Sequence, residues 1–338
     1  MTRIWIDIIN PSHALFFNSL IPELSSHQLD ITIRDRAETV KLCKSFGING
    51  RVIGTDYVDP LKKSVNMVYR TLKLSTSIPK FDISLSFENG MCVFGSKVRG
   101  NPSILFCDND LKFSQKSLFL QDLESDIKSL ASYVFIPRVC RENFSIMFDD
   151  TQLITYNGCK EDIYIADYIP DPDFLDKIPF NDFVVVRPEA LGSFYVKENK
   201  TIVPEILKRF EKENVNVIYL PREKEDIKYA EGCKFYTPDN PLNGLDLCYY
   251  ANAVLTGSGT LAREAACMGT TSISFFPSSK LLSVDQYFVD QGRILHSRDV
   301  NEIMDYINKN IQNGKRRDLK KCKAIKKRFF LSKLQKKS

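Results

Sequence analysis

The sequence predicts an α/β protein made of two doubly wound, Rossmann-like halves in series. Three observations carry this. Short β-rich runs alternate with helical patterns over most of the chain. The alternation is interrupted once, by a Pro-rich segment, and then restarts. A length of 338 residues is enough for two domains, each with its own core. Strand, helix, strand at this rhythm implies parallel pairing through right-handed crossovers.

In the first half, residues 3–9 (RIWIDII), 29–35 (LDITIRD), 51–54 (RVIG), 81–87 (FDISLSF), 103–109 (SILFCDN) and 133–137 (YVFIP) are short, β-rich and bounded by turn residues. Helical patterns lie between several of them. They include residues 14–27, and residues 36–47, which end at a glycine suited to a C-cap.

Residues 162–182 are rich in Pro, Asp and Tyr, with three X-Pro steps that favour extended backbone. The interdomain connection is expected here, giving an N-terminal domain over 1–165 and a second over 166–314. The alternation resumes with strands at 183–188, 215–221, 234–238, 252–257 and 271–276, and helices at 200–213 and after 260. A last helix over 299–312 precedes a basic tail, 315–338. No sequence repeat relates the halves.

Composition excludes several classes. Hydrophobic and charged shares of 43% and 26% belong to a globular protein. No apolar run approaches the ~20 residues that span a bilayer, and the opening residues have too short an apolar core for a signal peptide. Nine cysteines are scattered singly, without the spacing of a zinc site, and read as reduced core thiols of a cytoplasmic protein. The net charge of +5 belongs to the tail: from Lys315 onward there are twelve Lys or Arg and one Asp, which leaves residues 1–314 at −6. A mildly acidic body argues against a nucleic-acid groove.

In doubly wound sheets ligands bind beyond the carboxyl ends of the strands, so the expected pocket is a cleft where two such edges face each other. The loop TGSGT, Thr256–Thr260, follows a buried strand and opens a helix. Gly257 and Gly259 let backbone amides approach a ligand, Ser258 or Thr260 can cap the helix, and the first turn offers free N–H groups to an anion. An ordinary capped turn is the alternative, since the loop lacks the P-loop lysine and the third glycine of a dinucleotide fingerprint. Asn10, Ser12 and His13 follow the first strand. A neutral imidazole at that place can take a proton from an attacking hydroxyl, or can simply bond the helix start. Arg187 and Glu189 follow the first strand of the second half. Arg187 can hold a phosphate bidentately or pair with a nearby carboxylate, and Arg222 occupies a similar loop. Asp108 and Asp110 are hard oxygen ligands, but two acids in a polar loop are more often solvated, and no metal is expected. His27 and His296 read as structural. In the tail, Leu319, Cys322, Ile325 and Phe329 form one helical stripe among lysines. It suits either packing back on the first domain or lying on an anionic membrane at its inner face.

The loop with its helix resembles the GT-B glycosyltransferase superfamily, most closely its UDP-GlcNAc 2-epimerase branch. There a Ser-Gly-Gly turn precedes a helix with two glutamates. Ser258 and Gly259 match the turn, Glu264 matches the glutamate that bonds the nucleotide ribose, and Arg263 stands where the other would be. Residues 5–17 (WIDIINPSHALFF), with VVVRPEA, IYLPRE and the TGSGT loop, also resemble a chiefly archaeal family of uncharacterised predicted glycosyltransferases whose chains open Asp-x-x-Asn-Pro-x-His-x-x-Phe-Phe. The resemblance covers nearly the whole chain. It implies a GT-B fold, no cofactor, and a nucleotide-sugar donor, with UDP as the nucleotide. The expected reaction is inverting transfer to a hydroxyl acceptor, lipid-linked acceptors included, in cell-surface glycan synthesis. In that scheme His13 is the base. The substrate is bound by Asn10, Ser12, Arg187, Glu189, Arg222, residues 257–260 and Glu264. Alternatives are an epimerase or hydrolase on the same donor, or a non-catalytic nucleotide-sugar-binding protein. The epimerase pattern His-Arg-x-Glu-Asn is matched here only at Arg187 and Glu189, with Val186 and Ala190 replacing the His and Asn.

Overall fold

Among the described residues every strand runs parallel to its neighbours, so the chain must cross over between paired strands. The computed structural model describes residues 1–57, 59–111, 119–189, 191, 200–278, 280–312 and 317–334. The chain folds as two compact units, Met1–Tyr164 and Ile165–Ser338.

The first unit is a seven-stranded sheet of β1 (Arg3–Ile8), β2 (Gln28–Asp35), β3 (Arg51–Thr55), β4 (Ile83–Phe87), β5 (Ser103–Phe106), β6 (Tyr133–Pro137) and β7 (Leu153–Tyr156), in the order β3-β2-β1-β4-β5-β6-β7. The chain reverses direction across the sheet between β1 and β4, which are neighbours in space. Ile4, Trp5, Ile6 and Ile8 are all buried, because a parallel sheet is covered on both faces. One covering element is the helix Pro11–Leu20. It opens three residues earlier than expected, since Pro at the first helical position costs no hydrogen bond. It buries Ala14, Phe16, Phe17 and Leu20. Phe16 lies 5.1 Å from Phe87 and 5.0 Å from Phe106, ring to ring, which ties the helix to β4 and β5. Helix Thr39–Ser45 ends at Gly47, whose φ of +70° permits the left-handed C-terminal turn.

The second unit is a five-stranded sheet of β8 (Val184–Arg187), β9 (Val217–Tyr219), β10 (Ala253–Thr256), β11 (Thr271–Ser274) and β12 (Leu295–His296), in the order β12-β11-β10-β8-β9. Its core joins Val184, Val186 and Leu255 to Ile206, Leu207 and Phe210 of the amphipathic helix Val203–Lys212. The strand expected at 234–238 is reduced to one bridge between Ile218 and Tyr236. Its partner β9 has only three residues and is followed by Leu220–Pro221, so there is little ladder to extend.

Helix Lys320–Leu334 occupies the basic tail. The Arg317 guanidinium before it donates to the carbonyls of Tyr249, Ala251 and Gly269, at 2.6, 2.5 and 3.2 Å. These close the ends of helices Gly244–Tyr250 and Gly259–Met268, where cations are favoured. Cys322 and Phe329 of the expected stripe are buried, and the Cys322 thiol contacts the Cys267 carbonyl at 3.6 Å. Those two side chains are therefore covered by protein. All nine cysteines are free thiols.

Candidate functional site at the sheet switch points

In the second sheet the order reverses between β8 and β10, and the loops leaving these two strands meet. Gly257 N–H donates to the Arg187 carbonyl at 3.1 Å. A β-carbon at Gly257 would lie 2.5 Å from the Glu189 Cα and 2.9 Å from its nitrogen, so only glycine lets the loops close to this distance. Glu189 is buried. Its carboxylate accepts from the Thr201 hydroxyl (2.6 Å), the Ile202 N–H (3.3 Å) and the Arg298 guanidinium (2.9 Å). Arg298 also holds the carbonyls of Phe275 and Lys200. Glu189 thus fixes the loop from beneath. Arg187, half-buried, ends β8 beside Thr256, and the Arg222 Nε donates to the Pro188 carbonyl at 2.9 Å. Ala190 lies outside the described residues, while Val186 is fully buried in the core.

Ser258 occupies the N-cap position of helix Gly259–Met268, but its side chain makes no capping hydrogen bond among the described residues. The Ser258 N–H donates to Thr256 Oγ1 at 2.9 Å, which holds the turn from the strand side. Gly259 lies under an ion pair. A β-carbon there would come within 2.8–2.9 Å of the Asp285 carboxylate and of Arg263 Nη1, which bond each other. Arg263 Nη2 reaches Thr260 Oγ1 at 3.5 Å. The residue that departs from the epimerase pattern therefore braces this turn. Glu264 follows it on the helix and is buried, not solvated. The structure thus brings Arg187, Glu189, Arg222, residues 257–260 and Glu264 to one edge of the second sheet.

The remaining candidates are at the corresponding switch point of the first sheet. Asn10 follows β1 at the N-cap of helix Pro11–Leu20, Ser12 is half-buried in its first turn, and His13 is buried. Arg36 donates to Asn10 Oδ1 at 2.8 Å, which turns the Asn10 amide nitrogen toward His13 Nε2 at 3.4 Å. That assigns Nε2 as acceptor and places the proton on Nδ1. Nδ1 meets no hydrogen-bond partner among the described residues. Burial, then the nearby Lys160 ammonium, lower the His13 pKa to about 3, so the ring is neutral.

The first unit also holds a group of buried charges, of which the sequence singles out only Asp108 and Asp110 for a role. Asp7, fully buried, accepts from Arg70 Nη2 (2.7 and 2.9 Å), Thr32 Oγ1 (2.6 Å) and Asn89 Nδ2 (2.6 Å). Glu88, at φ +48°, holds the N–H groups of Asp108 and Asn109 and the Lys128 ammonium at 3.1, 3.0 and 2.6 Å. Burial lowers the Lys128 pKa, but the Glu88 and Glu124 carboxylates outweigh it and hold the group above its ordinary value. Asp108 pairs with Lys160, and Asp110 accepts from Asn143 at 2.8 Å. Both acids are buried, against the expectation of a solvated loop. One signal was legible: Asp7 is the lone carboxylate in an otherwise apolar run from Ile4 to Ile9, and a charge buried there requires partners. His296 contacts the carbonyls of Ser274 and Ser278 at 3.1 and 3.2 Å.

Two doubly wound parallel sheets, each with its candidate residues at a switch point, define an α/β protein of the GT-B-like class. The chain belongs to a family of proteins of unknown function, DUF354, which matches residues 2–330. An uncharacterized protein of Methanocaldococcus jannaschii is 27% identical over 329 residues, covering 93% of this chain and 92% of the relative. Among solved structures, UDP-GlcNAc 2-epimerase of Neisseria meningitidis bound to UDP-GlcNAc has a TM-score of 0.70 at 12% identity, over 99% of this chain and 100% of that one. Staphylococcus aureus MnaA with UDP has a TM-score of 0.71 at 14% identity, over 100% and 99%. The glycotransferase of kitacinnamycin has 0.60 at 10% identity, over 96% and 94%. These likenesses establish the fold.

Proposed function

We propose that the protein is a nucleotide-sugar-dependent glycosyltransferase that takes a UDP-sugar. The observation that carries this reading is the junction of Gly257 and Glu189 above an uncapped helix start. In this reading the backbone amides of Gly259 and Thr260, in the first turn of the helix, donate to a diphosphate at the carboxyl edge of the sheet. Arg187 and Arg222 supply positive charge as the leaving group departs. Glu264 accepts from the ribose diol, and Glu189 with Arg298 holds the loop in place. The solved relatives bearing UDP or UDP-GlcNAc support the choice of nucleotide.

Asn10, Ser12 and His13 serve the acceptor side. In the unliganded protein His13 is a neutral donor through Nδ1–H. Acting as base requires the negative charge of a bound donor to raise its low pKa. Displacement then proceeds by attack of the acceptor oxygen on the anomeric carbon and departure of UDP.

The test is calorimetric titration with UDP, GDP and dTDP, followed by an assay of UDP release from UDP-sugars. Binding of UDP with acceptor-dependent release supports the reading. Absence of binding by any nucleotide diphosphate overturns it. Binding without release assigns the protein to nucleotide-sugar recognition alone. Acceptor-independent conversion of UDP-GlcNAc would identify an epimerase or hydrolase, which lacks here the imidazole its pattern places at Val186.

A further inference from the structure

Helix Pro60–Ser77 has one face that the fold uses and one that it does not. On the inner face Leu74 is buried and Arg70 is bound to Asp7. On the outer face Val65, Val68, Tyr69 and Leu72 are 70, 58, 52 and 61% exposed. Their spacing of three, four and seven residues puts them in one stripe over two turns. Scattered single apolar residues on a surface need no explanation, but a contiguous stripe marks a contact.

The charge around the stripe indicates what it contacts. From residue 60 to 77 the sequence carries four basic residues (Lys62, Lys63, Arg70 and Lys73) and no Asp or Glu. Arg70 is consumed by Asp7, whereas Lys62 and Lys73 are exposed. At 3.6 residues per turn, those two lysines fall on one flank of the stripe. A second copy of the chain would set two such positive helices against each other. A bilayer with anionic head groups satisfies both features: the aliphatic groups enter the acyl boundary and the ammonium groups remain among the phosphates.

We propose that helix Pro60–Ser77 lies in the plane of an anionic membrane surface, inserting Val65, Val68, Tyr69 and Leu72, with Lys62 and Lys73 on the head groups. No helix among the described residues is long and apolar enough to cross a membrane, so the contact is peripheral. The inference rests on this face alone and is independent of the reaction proposed above.

Co-sedimentation of the full chain with phosphatidylcholine vesicles, with and without phosphatidylglycerol, tests it. Binding is expected only with the anionic lipid and should fall severalfold at high salt. The double variant Val68→Asp, Leu72→Asp should lose at least tenfold in binding without a change in melting temperature, and Lys62→Glu with Lys73→Glu severalfold. Val68→Trp gives a second readout, because the native Trp5 is buried and contributes a constant background. Its emission should shift to the blue when anionic vesicles are added. The proposal is overturned if the Asp variant sediments like the wild type, or if the Val68→Trp emission does not move. It is also overturned if light scattering shows a dimer that Leu72→Asp splits, because a second copy would then own the face.

Discussion

Asp7 and Arg70, 63 residues apart in sequence, form an ion pair with no solvent-exposed side-chain surface on either partner. Thr32 and Asn89 complete the carboxylate's hydrogen bonds. Two charges taken from water are stable only when paired and satisfied in this way.

Removing one partner leaves the other buried and uncompensated. Arg70→Met should therefore destabilise the first unit by about 3–5 kcal/mol. A double variant, Asp7→Leu with Arg70→Met, should lose less than the sum of the two single changes. Urea denaturation of the four proteins measures this coupling, and strict additivity would show that the pair does not act as a unit.

Gly257→Ala places a methyl group against the Glu189 backbone, so the loops after β8 and β10 must separate. We expect a cost of about 1–3 kcal/mol together with weaker UDP binding. Gly244→Ala, where nothing lies within 4 Å, is the matched control and should leave binding unchanged. Thermal melts and titration calorimetry on both variants provide the comparison.

His13 links stability to pH. In the unfolded chain its imidazole takes a proton below its ordinary value of 6.5; in the folded protein it does so only near 3. The unfolded state thus binds more protons between those values. Its contribution is complete above pH 6.5 and is lost as pH falls toward 3. At pH 4.5 the loss should be about 2–3 kcal/mol. In His13→Gln this part of the acid limb should vanish, which urea midpoints at pH 7 and pH 4.5 will reveal.

Glu264→Gln keeps the shape of the buried side chain and removes its charge. If the carboxylate receives the ribose hydroxyls, UDP should bind about tenfold more weakly or worse, while binding of pyrophosphate, which has no ribose, stays the same. Equal affinity of variant and wild type for UDP would remove Glu264 from the site.

Most strands were legible because buried parallel strands are apolar runs bounded by turn residues, as in residues 183–188 around β8 and 252–257 around β10, whereas the short edge strands β7 and β12 were not read. The candidate loops were legible for the same reason, since each directly follows such a run. What remained hidden depends on distant parts of the chain. Arg263 could be placed on a helix from sequence, but its pairing with Asp285 spans 22 residues and turns an apparent deviation into a brace. The Glu88–Lys128 and Asp108–Lys160 pairs bridge 40 and 52 residues, so Asp108 looked like a solvated loop acid. A serine at the N-cap position was legible at Ser258, yet its side chain makes no capping hydrogen bond among the described residues, and the turn is held instead through the strand hydroxyl of Thr256.

Strand β1 cannot settle early during synthesis. Its carboxylate at Asp7 needs a guanidinium that is synthesised 63 residues later and an amide 82 residues later. Until both have emerged, seating β1 at the centre of its sheet would strand a naked charge. Strand β1 must therefore wait for translation to pass Asn89 before it commits, and ribosome-bound chains ending short of that point are expected to stay open to proteases.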